Sequence, residues 1–262
     1  MQSPLVIRTN SQFRKSYLKL KSGDVVVCTL NIKPFEEYIF TELIDRGVIL
    51  FPSALSQLAT RSKCFQARIF VKFMIPYTKV ITDKKDLVMA MDEYSKRHIK
   101  PVITKLDRAN CGLGINKWTD CESLFNHVTF STRPLWPFVL QPFIKDALDI
   151  RVICIGDKHL EAYWRKNSSG FRNNLHFGGK SGPYKLSKNE MAFCKRVMER
   201  GKFPYAHIDL IKNQEGEIYL SEISLFGGTK GAKIDSLTCS RLRRRIEEDF
   251  LKTFTVQQGN KA

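Results

Sequence analysis

The chain has 262 residues, with 43 Lys plus Arg against 26 Asp plus Glu and a formal net charge of +17. That length is enough to bury a real core, as one large domain or two small ones, and a hydrophobic fraction of 43% is ordinary for a globular protein. The charge favours polyanionic partners, whether nucleic acid, nucleotides, acidic polypeptides or acidic membranes, and the sequence excludes a membrane span, since no apolar run approaches the ~20 residues that one needs.

The seven cysteines, from Cys28 to Cys239, form no CxxC or other metal spacing and read as reduced thiols. The first residues, MQSPLVIRTN, lack the apolar core of a signal peptide. Both features predict a cytoplasmic protein.

Residues 1–23 are basic and irregular, the pattern of a loosely held extension. Val25 to Leu30 is a continuous apolar run of strand length, as in a sheet covered on both faces. Pro34, two Glu beside it and Gly47 bound a helix with Ile39, Phe40, Leu43 and Ile44 on one face. A strand over Val48 to Phe51 completes one β-α-β unit, without a GxGxxG turn. The spacing predicts a single helix over 52–73 with Lys63 in its middle. Tyr77 to Ile81 reads as a strand, and Thr82 or Asp83 caps a helix to about His98. Pro101 to Leu106 is a strand that carries Lys105 near its end, followed by a small-residue turn from Arg108 to Gly114. A strand, a lysine and a glycine turn together can cradle phosphate through backbone N–H groups, although the lysine precedes the glycines, unlike the Walker pattern.

Asp120 begins a short helix. Phe138 to Ile144 is a strand given edge character by Pro142. Ile150 to Ile155 and His159 to Arg165 form a hairpin about Gly156-Asp157, with Arg151 and Arg165 projecting from it. A glycine-flanked basic loop, Gly170 to Lys180, follows. Ser187 and Glu190 form a capping box for a helix that Gly201 ends. The stretch Ala206 to Ser224 reads as two strands joined at Gln214-Glu215-Gly216-Glu217. The first puts His207, Asp209 and Ile211 on one face. A register with Asn213 facing Ile218 sets Asp209 opposite Glu222, with Ser224 two residues further along the same face. Carboxylates directly across such a pair sit about 4.5–5.5 Å apart at Cβ and repel unless a proton or a cation intervenes. An all-oxygen group of this kind suits magnesium, which binds through a few carboxylates plus substrate phosphates. In the last helix, Ser236 to about Phe254, the arginines from Arg241 to Arg245 precede Glu247, Glu248 and Asp249. That i,i+4 pattern favours a solvated face over a nucleic-acid patch. The tail QQGNKA is expected to fray.

The ordered set resembles the ATP-grasp superfamily, and most of all its RimK-type branch of glutamate ligases. It comprises a helical lysine, a strand-end lysine, a glycine turn, QPFI, Asp149-Ile150-Arg151, FRNNLHFGG, and an Asp and a Glu on a hairpin. The segment FRNNLHFGG is similar to the branch's FRSNLHRGG. The resemblance implies an α+β ATP-grasp fold, in which two α+β subdomains clasp ATP beside a reduced N-terminal β-α-β unit. Expected boundaries are 1–75 for the extension, the N-terminal unit and a linker helix, 76–142 and 143–256 for the small and large subdomains, and 257–262 for a tail. It implies that Lys63 and Lys105 contact the phosphates, that Arg165 belongs to the ATP-binding set, that Gln141, Pro142, Phe143 and Ile144 line the adenine and that Asp149 meets the ribose. Arg172, Asn173 and Asn174 would sit at the phosphates, with Arg172 stabilising the transferring phosphoryl group and Arg172 and Lys105 catalytic. Asp209, Glu222 and Ser224 would hold magnesium, or manganese in its place. Ser224 stands where the branch has Asn and Pro142 where an acidic residue is usual, Ala109 and Cys111 depart from the glycine loop, and the segment before Asp149 is shortened.

Three readings follow. The first is an ADP-forming carboxylate–amine ligase working through an acyl phosphate on a peptide or protein acceptor. The second is small-molecule ligation by the same chemistry. The third is a catalytically weakened module that binds a nucleotide or polyanion. Amino acids and acidic peptides or proteins are the implied partners, nucleic acid is compatible with the charge without being favoured, and the family's habits imply a homo-oligomer.

Overall fold

The computed structural model describes residues 3–109, 112–132, 135–157, 159–167 and 179–259. Three sheets organise them. The N-terminal sheet is parallel, in the order β1 (Val6–Ile7), β2 (Val25–Val27), β3 (Ile49–Phe51). Residues 3–23 are therefore not a loose extension. Val6 and Ile7 form a strand, Thr9 caps α1 (Asn10–Ser16) through the Gln12 N–H, and Phe13 and Leu20 are buried with Leu30, Phe40 and Leu43. A strand of two residues leaves no periodicity in the sequence, and the basic side chains around it are all on the surface. Helix α2 (Tyr38–Asp45) starts later than Pro34 and buries Phe40 and Leu43, while Ile44 stays exposed.

The expected single helix over 52–73 is two, α3 (Ala54–Arg61) and α4 (Lys63–Ile69). Ser62 breaks it with extended backbone, and its hydroxyl both accepts the Phe65 N–H and donates to Asp107. Lys63 is thus the first residue of α4 rather than a mid-helix position.

The second sheet is antiparallel, in the order β4 (Lys79–Ile81), β7 (Phe138–Pro142), β5 (Val102–Leu106), β6 (Ile115–Trp118). Two helices pack on it through Leu87, Tyr94 and Leu124, α5 (Lys84–Lys96) capped by Asp83 and α6 (Cys121–Phe130) capped by Asp120. Strand β7 is central, not an edge. Pro142 is tolerated because its nitrogen faces the β4 side beyond the first pair of that strand, Lys79 with Leu140, where the ladder asks for no donor.

The third sheet has five antiparallel strands, in the order β10 (Lys180–Pro183), β9 (His159–Lys166), β8 (Leu148–Ile155), β11 (Tyr205–Lys212), β12 (Ile218–Ser224). Helix α7 (Lys188–Gly201) opens with the predicted Ser187–Glu190 capping box, and its left-handed cap is Lys202 (φ 53°) rather than Gly201. Helix α8 (Ser236–Gly259) extends through the first part of the tail that was expected to fray, and its Leu251 and Phe250 cover Val25, Val27 and Phe51 of the N-terminal sheet. Within α8 Glu247 accepts the Tyr205 hydroxyl and Arg243 stacks over Phe226, so this face is partly packed rather than wholly solvated.

Strand β12 ends the five-stranded sheet, so its outer N–H and C=O groups need partners. The α3–α4 segment supplies them. Gln66, 1% exposed, donates to the Ile223 carbonyl at 2.9 Å and accepts the Ile223 N–H at 2.9 Å. The Leu225 N–H reaches Thr60 Oγ1 and the Leu220 N–H reaches the Phe73 carbonyl. Replacing Gln66 by Leu strands buried backbone groups at Ala59 and Ile223, each costing about 1–3 kcal/mol. Differential scanning calorimetry should show Q66L losing about 3 kcal/mol, or roughly 6–12 °C in Tm. A loss below about 2 °C would contradict this account of the edge.

Candidate active site

The cleft between the second and third sheets encloses about 870 Å³, within the range of small-molecule sites. At one end it is lined by Ile75, Ile103, Ile144, Leu148 and Ile211, and further along by Lys105, Asp149, Arg151, Arg165, Asp209, Glu222 and Ser224. Gln141, Pro142 and Phe143 also line it, but the Gln141 amide is held by Thr78 Oγ1 and the Phe143 N–H is committed to the Pro101 carbonyl.

The polar end is a row of charges across one face of the sheet. Strand pairing sets Arg151 opposite Asp209 and Asp149 opposite Arg165. Arg151 binds Asp209 with two hydrogen bonds of 2.7 Å, Arg165 donates to Asp149 at 2.7 Å, and Arg165 also reaches Asp209 at 3.0 Å. Burial raises the Asp209 carboxyl, but the two guanidiniums outweigh it and hold the group well below the usual carboxylate range. Asp149 is pushed up to about 6, with burial ahead of the opposing Arg165 charge. Arg151, which the sequence marks only as projecting from its strand, is thus part of the site. Its two-residue offset from Asp149 was the available signal, since period-two spacing puts both on one face.

Asp209 does lie opposite Glu222, by a different route from the predicted register. Near the turn the pairs are Lys212↔Ile218 and Leu210↔Leu220, one residue off the expected alignment, and a bulge between Asp209 and Leu210 restores Asp209↔Glu222. The extra residue is Ser221, which sequence reasoning did not single out. Lys105 Nζ donates to the Ser221 carbonyl and hydroxyl, both at 3.1 Å. Lys63, 8% exposed, contacts Glu222 at 3.2 Å and donates to the Ala109 carbonyl. Asp107 links the two lysines' supports, since it follows β5 and takes both the Ser62 hydroxyl and the Cys64 N–H at the start of α4. Burial draws Lys105 down to about 8, with the Glu222 charge opposing.

Three carboxylates, Asp149, Asp209 and Glu222, thus stand among four cations, Arg151, Arg165, Lys63 and Lys105. The like charges of the hairpin are separated by basic side chains, and an anionic ligand would complete the balance. Asp209, Glu222 and Ser224 offer the hard oxygens that magnesium takes. Both Asp209 oxygens already accept guanidinium N–H groups, Glu222 Oε1 takes Lys63, and Ser224 Oγ accepts the Phe226 N–H. Among the described residues no group of three or more His, Cys, Asp or Glu side chains could hold a metal. Arg172, Asn173 and Asn174 lie outside the described residues. No helix among the described residues is long and apolar enough to cross a membrane.

Two sheets clasping a cleft of this composition define an ATP-grasp fold. The structure superposes on the ATP-grasp ligase PsnB, solved with a phosphomimetic variant of its minimal precursor, Mg and ADP, with a TM-score of 0.56 and 15% identity over 90% of this chain and 69% of that one. The chain belongs to the RimK-like ATP-grasp domain family, whose model matches residues 59–238. It is 32% identical over 218 residues to a probable alpha-L-glutamate ligase of Mannheimia succiniciproducens, covering 79% of this chain and 72% of that protein. A probable alpha-L-glutamate ligase of Xanthomonas campestris is 31% identical over 137 residues, 51% of this chain, and there the chain spans only 46% of the relative's length.

The two hairpin carboxylates differ in what their loss exposes. Asp209→Asn leaves two largely buried guanidiniums underpaired and should cost about 3–5 kcal/mol. Glu222→Gln keeps the Ala109 contact for Lys63 and should cost about 1 kcal/mol. Urea unfolding of the two variants checks the order, and equal losses would contradict it.

Proposed function

We propose that the protein is an ATP- and magnesium-dependent carboxylate–amine ligase that releases ADP, phosphorylates a carboxylate to an acyl phosphate and lets an amine displace the phosphate. The amino acid added is one such as glutamate, and the acceptor is a peptide, a protein or a small molecule. The observation that carries this reading is the convergence of Lys105, Arg151 and Arg165 on the Asp209–Glu222 hairpin inside one cleft, with Lys63 held against Glu222. Family membership and the glutamate ligase relatives support it, as do the Mg and ADP held by PsnB.

In this reading the apolar end beside Gln141 to Ile144 takes the adenine and Asp149 faces the ribose. Lys63, Lys105 and Arg165 neutralise phosphate charge in a site where hydrogen-bonding cations are worth more than in water. Asp209, Glu222 and Ser224 would hold the magnesium, whose chemistry is to offset charge on the transferring phosphoryl group. Most of the work of the chain is positioning. Each group is fixed by a strand, a bulge or a helix start, so little reorganisation accompanies the reaction. The second reading, a weakened nucleotide-binding module, draws on the full engagement of Asp209 by its arginines.

A coupled assay of magnesium-dependent ADP release with a pool of amino acids tests the choice. The wild type should turn over and Glu222→Gln should fall by about 10²–10³-fold, far beyond its stability cost. Nucleotide binding without ADP release in the wild type would decide for the module.

Lys105 gives a pH signature. It is protonated below about 8 and neutral above, so its attraction for phosphate fades as pH rises through that value. Calorimetry should show ATP affinity falling by up to about tenfold per pH unit between pH 8 and 9. Lys105→Arg, which stays charged throughout, should flatten that fall. An unchanged slope in the variant would rule out Lys105 as its source.

A further inference from the structure

We propose that Arg108 is a positioning residue, through which the N-terminal unit sets Lys63 for a nucleotide's phosphates. This rests on the nucleotide reading of the cleft above and not on the acyl phosphate chemistry. Arg108 lies just past β5 and crosses to the segment between β2 and α2. There it donates to the Glu37 carboxylate and packs its guanidinium 5.6 Å from the centre of the Phe35 ring. Phe35 and Arg108 both hold left-handed backbone, with φ of 71° and 58°. That conformation is uncommon for bulky side chains and persists only where the surroundings impose it. Phe35 is 84% exposed, so burial does not hold its ring in place, and the guanidinium stacked on it does. The Glu36 carboxylate closes the turn by accepting the Lys33 N–H at 2.7 Å. From the other side Arg61, the last residue of α3, donates to the Leu30 carbonyl and, at 3.2 Å, to the Ile32 carbonyl. The segment 30–37 is therefore gripped by one arginine from α3 and one from the loop after β5.

Three consecutive residues carry that grip to the site. Asp107 accepts the Ser62 hydroxyl at 2.8 Å and the Cys64 N–H at 3.0 Å, on either side of Lys63 in the chain. Arg108 meets Glu37, and its Nε lies 3.6 Å from Asp107 Oδ2. Ala109 offers its carbonyl to Lys63 Nζ. Among the described residues Lys63 Nζ meets only that carbonyl and Glu222. Burial raises the Glu37 carboxyl, but the Arg108 guanidinium outweighs it and holds the group below its ordinary value. A half-exposed ion pair of this kind adds little to folding stability, and what it fixes here is geometry. Without it Arg108 relaxes from its left-handed backbone, the Ala109 carbonyl shifts, and Lys63 turns wholly onto Glu222. A lysine that neutralises Glu222 is then lost to phosphate.

Titration calorimetry of magnesium–ATP and of AMP tests this on the wild type, Arg108→Gln, Glu37→Gln, the double variant and Arg108→Lys. AMP carries the same base and sugar but only one phosphate, so it serves as the control. Either single Gln variant should weaken magnesium–ATP by about 3–30-fold and leave AMP within about twofold. The double variant should lose no more than the worse single one, because two partners in one contact are not additive. Arg108→Lys keeps the charge and should retain part of the wild-type affinity. In a Lys63→Gln background, Arg108→Gln should have no further effect. A Glu37→Gln variant that binds magnesium–ATP as well as the wild type, or better, would overturn the inference. So would equal losses of ATP and AMP affinity, which mark a structural role, or an undiminished effect of Arg108→Gln once Lys63 is gone. A wild type that binds no magnesium–ATP would bring down the nucleotide reading itself, and the inference with it.

Discussion

The outer edge of β12 is the constraint on which the site depends. A sheet edge must find partners for its backbone, and here helices α3 and α4 provide them through Thr60, Gln66 and the chain at Phe73. That contact fixes more than stability. It brings the first residue of α4, Lys63, against Glu222, and Asp107 ties the same helix start to the strand that carries Lys105. One set of hydrogen bonds therefore sets both lysines over one hairpin, although they lie 42 residues apart in the chain.

Charge then decides what the cleft can hold. Asp209 is matched by Arg151 and Arg165 in a nearly dry setting. Buried pairs of this kind contribute little net stability but are severely disrupted when one partner is lost. Their value here is geometric. Cross-strand pairing locks the four side chains of Asp149, Arg151, Arg165 and Asp209 into one row, leaving Glu222 and the two lysines nearest the bulge at Ser221. Burial, and after it the Arg151 charge, lowers the pKa of His207 beside that row to about 4.

Much of this could be read from the residues. Period-two alternation placed His207, Asp209 and Ile211 on one face, the S-x-x-E box marked the start of α7, and the ordered lysines, QPFI and acidic hairpin pointed to the ATP-grasp fold. What escaped had physical reasons. A two-residue strand such as Val6–Ile7 gives no periodicity, and the break at Ser62 depends on a long-range partner, Asp107. A bulge such as that at Ser221 is set by what packs on the strand rather than by local sequence. Pro142 suggested an edge because proline lacks a donor, yet β4 has ended on the side that its nitrogen faces, so a central strand can carry it there. The expected frayed tail also turned out to be helical as far as Gly259, at the end of α8.

The central claim is that a nucleotide's phosphates join the lysines to the hairpin carboxylates through a shared divalent ion. Titration calorimetry of ATP, with and without magnesium, on the wild type and on Glu222→Gln tests it most directly. The account predicts wild-type binding that tightens with magnesium and a variant in which that linkage is lost. Binding indifferent to magnesium in the wild type, or an equal magnesium effect in the variant, would contradict it.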